Sequence, residues 1–316
     1  MPANRCGAFY GVGGQGDEVD VAITGSSGLI GSALADALHR RGDRVVPVVR
    51  GKTRGLRWDP TAGTIDAAGF EGLDAVVHLA GEGIGDKRWT DEQKVAILES
   101  RTAGTRLLAD TLAGLERPPA VLVSGSAIGY YGDRGSEALT EISSSGPADD
   151  FLVDVCLQWE AATAPAEAAG IRTIHLRTGI VLSAGGGALA RMLTPFRFGL
   201  GGRIGSGNQY MSWVSLADEV GAIIHALEHE QVRGALNATG PTPVTNREFT
   251  ETLGHVLHRP TVLPTPLFPL KAVYGAELVQ HLLLDGQRVL PTKLTETGYE
   301  FRHSTLDDAL HAAIGR

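Results

Sequence analysis

The chain has 316 residues, 43% hydrophobic and 20% charged, with a formal net charge of -8. The acidic balance excludes nucleic acid and an anionic membrane surface as main partners. The two cysteines, Cys6 and Cys156, are too few for a disulfide framework or a cysteine metal cluster, so a reducing compartment and no metal are expected. No apolar run reaches the roughly 18 residues that span a bilayer, and the N-terminus lacks a charged-then-apolar signal pattern, which makes the expected location cytoplasmic.

In chain order, residues 1–18 are rich in glycine, have no helical or strand period and are expected to form a disordered extension. Gly11-Val12-Gly13-Gly14-Gln15-Gly16 spells G-x-G-x-x-G, yet no strand precedes it and no helix follows. From Val19 the pattern alternates strands and helices, which predicts an α/β fold with a Rossmann-type, doubly wound parallel sheet. Val21 to Thr24 reads as the first strand, and Leu29 to Leu38 as a helix stopped at Arg41-Gly42. Arg44 to Val49 is the second strand, and Trp58 to Ile65 reads as a hairpin or excursion outside the core. A strand over Asp74 to Ala80, a long helix from Thr90 to Leu115 and a strand over Ala120 to Ser124 follow. One helix is expected from Asp149 to Ala169, then a strand over Ile171 to Leu176. Glycines recur from Gly185 to Gly207, the pattern of loops folded over a pocket. Ser215 to Glu228 returns to a helix, and Thr245-Asn246-Arg247-Glu248 has the capping-box form. The main domain is expected over 19–258 and a small C-terminal lobe, with a helix over Leu267 to Leu284, over 259–316.

The residues that carry chemistry begin at Thr24. Gly25, Ser27, Gly28, Leu29, Ile30 and Gly31 lie where the first strand turns into the first helix. Such a turn offers backbone N–H groups at a helix N-terminus, where a pyrophosphate binds. Arg50 ends the next strand, where an NAD site places an acidic residue and where an arginine suits the extra phosphate of NADP. Lys52 and Arg54 add to that charge. Leu79-Ala80-Gly81 sits at another carboxyl strand end and is small enough for adenine and ribose to pack on its backbone. The expected cofactor is therefore NADP. His78, in a buried strand, and Cys156, among Val153, Val155 and Leu157, read as packed core residues.

Together with that turn and Arg50, Val77-His78-Leu79-Ala80-Gly81, Ser126-Ala127-Ile128-Gly129-Tyr130-Tyr131-Gly132, Arg177-Thr178-Gly179, Gly205-Ser206-Gly207-Asn208-Gln209 and Asp285-Gly286-Gln287-Arg288-Val289-Leu290-Pro291 carry a resemblance. The chain resembles the extended short-chain dehydrogenase/reductase superfamily and, within it, an atypical bacterial epimerase-family group. The resemblance covers all but the N-terminal segment. It implies a catalytic Tyr-x-x-x-Lys pair supported by a serine and an asparagine. With the register anchored on Trp159-Glu160, Leu152 stands at the tyrosine position, Cys156 at the lysine position and Arg101 at the asparagine position. Arg101 then counts as a cofactor contact, and the serine is Ser126 or, less favourably placed, Ser124. The resemblance also puts Arg177, Arg203, Gln209 and Trp213 on the substrate side. Two functional readings remain open. One is an NADP-dependent oxidoreductase or epimerase on an unidentified small molecule, with Ser126 and Tyr131 handling the proton. The other is a non-catalytic NADP(H)-binding redox sensor or scaffold. Either allows a homodimer.

Overall fold

The computed structural model describes residues 18–51 and 54–315. The expectations for Gly11 to Gly16, for Cys6 and for Lys52, and all but the last residue of the expected extension, lie outside the described residues. Among them, no helix is long and apolar enough to cross a membrane.

Eight strands form the central sheet: β1 (Asp20–Thr24), β2 (Arg44–Val49), β3 (Leu56–Asp59), β4 (Thr64–Ile65), β5 (Ala75–His78), β6 (Val121–Ala127), β7 (Arg172–Thr178) and β8 (Gly234–Ala238). Their order is β8-β7-β6-β5-β1-β2-β3-β4, parallel throughout except for the β3/β4 hairpin. The chain runs outward from β1 to β4 and then crosses to the other side of β1. The carboxyl ends of β1 and β5 therefore flank a switch point, the place where open α/β sheets bind ligands.

Successive strand residues face opposite sides, and both sides are covered. Val21, Ile23, Val77, Val123 and Ile174 pack with Leu34 and Leu38 of α1 (Leu29–Arg41) and with Ile223 of a later helix, Leu216–Glu228. Ala22, Val76 and Leu122 point the other way, toward Leu108 and Leu112 of α2 (Asp91–Ala113). Gly42 ends α1 with a φ of 91°, and the Thr90 side chain caps α2. The Trp58 to Ile65 hairpin is present, but it is not outside the core. β3 pairs with β2, and the Trp58 ring is buried against Gly104 of α2, where an added Cβ would stand 3.2 Å from it.

The helix expected over Asp149 to Ala169 is two: α3 (Phe151–Ala161) and α4 (Ala164–Ala168). Pro165 lacks the N–H that would continue α3 into α4. The expected Leu267 to Leu284 helix is likewise interrupted at Gly275, whose φ is 92°, and finishes in a π turn, Gln280–Leu284.

A second core lies beside the sheet. Leu189, Leu193 and Phe196 of the helix Gly187–Arg197 meet Phe249 and Leu253 of Asn246–Leu257 and Leu306 and Leu310 of Leu306–Ile314, around Trp213. The Thr245–Glu248 capping box starts the middle helix as expected. The C-terminal segment also reaches back: Val289 pairs beside Leu139, and Leu294 joins the sheet core.

Candidate functional site

The glycine turn is built by close backbone contacts. Gly25 has a φ of 68°, and a Cβ there would stand 2.9 Å from the Leu79 carbonyl carbon. A Cβ on Gly31 would stand 2.2 Å from the Gly25 oxygen, closer than any atom can approach. Gly28 donates its N–H to the Gly25 oxygen at 2.9 Å, and the first bond within the helix runs from Ser32 N to Gly28 O. No side chain caps this helix, so the N–H groups of Leu29, Ile30 and Gly31 have no partner within it. A second uncapped helix start converges here. Gly186 precedes the helix Gly187–Arg197 without a side-chain cap, and both glycines face the Leu29 side chain. Two helix N-termini at one place make a site for anionic oxygen.

β5 completes the crevice wall. The Thr24 hydroxyl accepts the N–H groups of Leu79 and Ala80 at 3.1 and 3.2 Å and shares a 2.7 Å hydrogen bond with His78 Nδ1. That holds the His78 ring edge-on to Trp58, with Nε2 buried and without a hydrogen-bond partner among the described residues. Burial pushes its pKa down to about 4, so His78 is the packed neutral residue its sequence position implies.

Two guanidinium groups face this region without a salt bridge among the described residues. Arg50 is exposed at the end of β2. Lys87 first, then Gln93 and the Arg50 charge, hold the Glu82 carboxyl below its usual range. Arg101 is partly buried against Gly81 and lies over the Trp159 ring at 5.0 Å, with Nη1 donating to its own helix at Ile97 O. Burial lowers its pKa. A desolvated cation that no carboxylate contacts directly is costly, and an anionic ligand relieves that cost.

The family's proton-transfer position is closed. Leu152 packs with Phe151, Trp89 and Leu282 in one apolar cluster. The Cys156 thiol is buried and pushed up to about 12, first by burial and then by Glu160, so it stays protonated. The sequence expectation that Ser126 and Tyr131 handle a proton meets a buried network instead. The Ser126 hydroxyl donates to Glu160 Oε1 at 2.7 Å, and Arg177 binds both Glu160 oxygens, each at 2.8 Å. Arg177 Nη1 also donates to the Tyr131 hydroxyl at 3.0 Å, beside Asn237 Oδ1 at 2.7 Å and Thr140 O at 3.0 Å. Tyr131 is 0% exposed, and burial raises its pKa. Both hydroxyls are thus engaged around the Glu160–Arg177 pair. Ser124 is fully buried as well.

The other substrate-side expectations are also structural in place. Arg203 turns onto Gly205 and Ser206 of its own loop, Gln209 ties Ile204 to Leu283, and Trp213 is 0% exposed with its N–H on Thr242. Tyr130 lies under Arg177, whose guanidinium carbon is 3.4 Å from the ring centre. Sequence reasoning missed Asn237 and Glu219. Glu219 is 0% exposed, accepts from Thr178 at 2.7 Å and has its second oxygen unpartnered. An acidic residue inside the apolar stripe of Leu216, Val220 and Ile223 is the signal that marks it.

Two outcomes follow from this network. Glu160→Gln leaves the buried Arg177 cation without its counter-charge and lowers unfolding stability by about 3–5 kcal/mol in denaturant titrations; a loss under about 1 kcal/mol contradicts the pairing. Burial raises the Glu219 pKa from its ordinary 4.5 to about 8, so the folded chain keeps a proton that the unfolded chain has released. Folded stability on this account is full below pH 4.5 and falls as pH rises to about 8. Glu219→Gln removes that loss, so its stability relative to the parent climbs across the interval. Parallel pH profiles contradict it.

The pattern that defines the NAD dependent epimerase/dehydratase family matches residues 21–238, and a domain of unknown function (DUF1731) matches residues 265–313. The chain is 43% identical over 299 residues to "Epimerase family protein ML0860" of Mycobacterium leprae, covering 94% of this chain and 96% of that one. It is 38% identical over 297 residues to human "Epimerase family protein SDR39U1", covering 93% and 99%. A crystal structure of that human protein (isoform2) with NADPH matches with a TM-score of 0.86 and 36% identity, covering 94% of this chain and 100% of that chain. The fold, the glycine turn and these matches agree: the chain belongs to the NAD-dependent epimerase/dehydratase family.

Proposed function

We propose that the chain binds NADP(H) across the β1/β5 switch point and acts as an oxidoreductase on a small molecule held between the sheet and the C-terminal segment. The observation that carries the cofactor reading is the pair of uncapped helix starts beside two guanidinium groups that make no salt bridge among the described residues, Arg50 and Arg101. The turn from Gly25 to Gly31 suits the pyrophosphate, Leu79-Ala80-Gly81 the adenosine end, and Arg50 the 2′-phosphate. The human relative crystallised with NADPH supports the same assignment. When bound, the nicotinamide supplies or takes a hydride.

The chain's own contribution is binding and orientation. Arg101, which lies beside Cys156, supplies a positive charge close to the position where the superfamily keeps its lysine. Leu152 and Phe151 exclude water from the same wall. The closed proton-transfer position favours a second reading, a non-catalytic NADP(H)-binding sensor, because neither Leu152 nor a protonated Cys156 moves a proton.

Calorimetry separates the binding roles. Arg50→Asp weakens NADPH by about ten- to a hundredfold, the value of a charge-assisted hydrogen bond, and does not weaken NADH, so the preference reverses. Arg101→Ala weakens both cofactors alike, since its partner is common to them. Unchanged NADPH affinity in both variants overturns the assignment. The two functional readings part on turnover: oxidation of NADPH, followed at its own absorbance with fractionated cellular small molecules, supports the enzyme. Tight binding without oxidation by any fraction supports the sensor.

A further inference from the structure

Outside the cofactor crevice, three donor side chains from two segments, Asp150 on one and His281 with Asp285 on the other, converge where the C-terminal segment meets α3. Asp150 caps α3, and its Oδ1 accepts the N–H groups of Leu152 and Val153 at 2.8 and 3.3 Å. Asp285 follows the π turn, and its Oδ1 accepts Gln280 Nε2 at 2.7 Å. Each carboxylate thus has one oxygen committed and one aimed at the same imidazole. His281 Nδ1 stands 2.9 Å from Asp285 Oδ2 and 3.4 Å from Asp150 Oδ2. The His281 ring lies stacked on Trp89, 5.9 Å between centres and 20° from parallel. The three donor atoms all lie within 4.8 Å of one another.

We propose that Asp150, His281 and Asp285 form a binding site for a divalent transition-metal ion of the zinc class. A lone Nδ1–H serves one carboxylate oxygen well and leaves the second uncompensated, whereas a divalent ion satisfies both oxygens and the nitrogen at once. Tetrahedral bonds of about 2.1 Å place ligand atoms about 3.4 Å apart, so the observed separations require only small side-chain adjustments. The donor set selects the metal. Calcium takes six to eight oxygens and magnesium keeps an all-oxygen octahedron, while one imidazole with two carboxylates suits zinc or cobalt. The outer partners needed to hold the ligands are already present in Gln280, the α3 N–H groups and the Trp89 face.

The donors are also sheltered without being sealed: the side chains of His281, Asp150 and Asp285 are 20%, 17% and 9% exposed. Three protein ligands leave one coordination position open. The site sits beside Leu282, Phe151 and Leu152 of the apolar cluster on the crevice wall. A bound ion therefore clasps the C-terminal segment to the start of α3. No local spacing in the sequence marks it, because Asp150 lies far from the other two donors along the chain.

The test uses the full, untagged chain after chelator treatment. Zinc is titrated against a chromophoric chelator, and cobalt is followed by visible absorption. The expected result is one tightly held ion per chain and the intense band of four-coordinate cobalt. His281→Ala and Asp285→Asn each weaken zinc by at least about tenfold, with NADPH affinity unchanged as the measure of an intact fold. If the alanine variant fails to fold, the near-isosteric Asp285→Asn decides. Absence of stoichiometric zinc, or affinity unchanged in the folded variants, overturns the site and leaves His281 as an ion-pair partner.

Discussion

The approach of Gly31 to the Gly25 carbonyl is the contact on which the remaining structure depends. Because neither position has a Cβ, α1 starts directly under β1, and its unpartnered N–H groups face the mouth of the crevice. Gly25 brings the turn against Leu79 and Ala80 as well, so the same close packing joins the carboxyl ends of β1 and β5. The Thr24 hydroxyl then ties both Leu79 and Ala80 to β1. Any side chain at Gly31 forces the backbone apart and breaks this arrangement at its origin. The ligand site is thus a consequence of how the first strand and helix pack.

The opposite half of the crevice is organised by charge. Glu160 and Arg177, 11% and 5% exposed at their side chains, hold each other in a bidentate pair. They draw in Ser126 and Tyr131, and through Tyr131 they reach Asn237 of β8. This network links α3, β6, β7 and β8 under the place where the superfamily's tyrosine and lysine usually act. In this chain that place is apolar at Leu152 and inert at Cys156.

Much of this was legible in the sequence where the signal is local. β1, the turn and α1 follow from an apolar run, glycines and a helical stripe within a few turns of chain, and the Thr245–Glu248 capping box formed as its spacing requires. The failures come from partners distant in sequence. Trp58 reads as surface until Gly104 provides the slot that buries it. The partners that hold the Ser126 and Tyr131 hydroxyls, Glu160, Arg177 and Asn237, likewise arrive from three other elements. The helix expected across Thr163 breaks at Pro165, whose missing N–H is a local signal.

The central claim is that the phosphate groups of NADP(H) sit at this turn, with the 2′-phosphate beside Arg50. Phosphorus-31 NMR of the bound cofactor tests it most directly. A free phosphate monoester takes up its second proton with a pKa of about 6. Beside Arg50 the 2′-phosphate resonance should stay that of the dianion well below that pH, and the pyrophosphate resonances should shift on binding. A 2′-phosphate that titrates in the complex as it does in free NADPH would contradict the account.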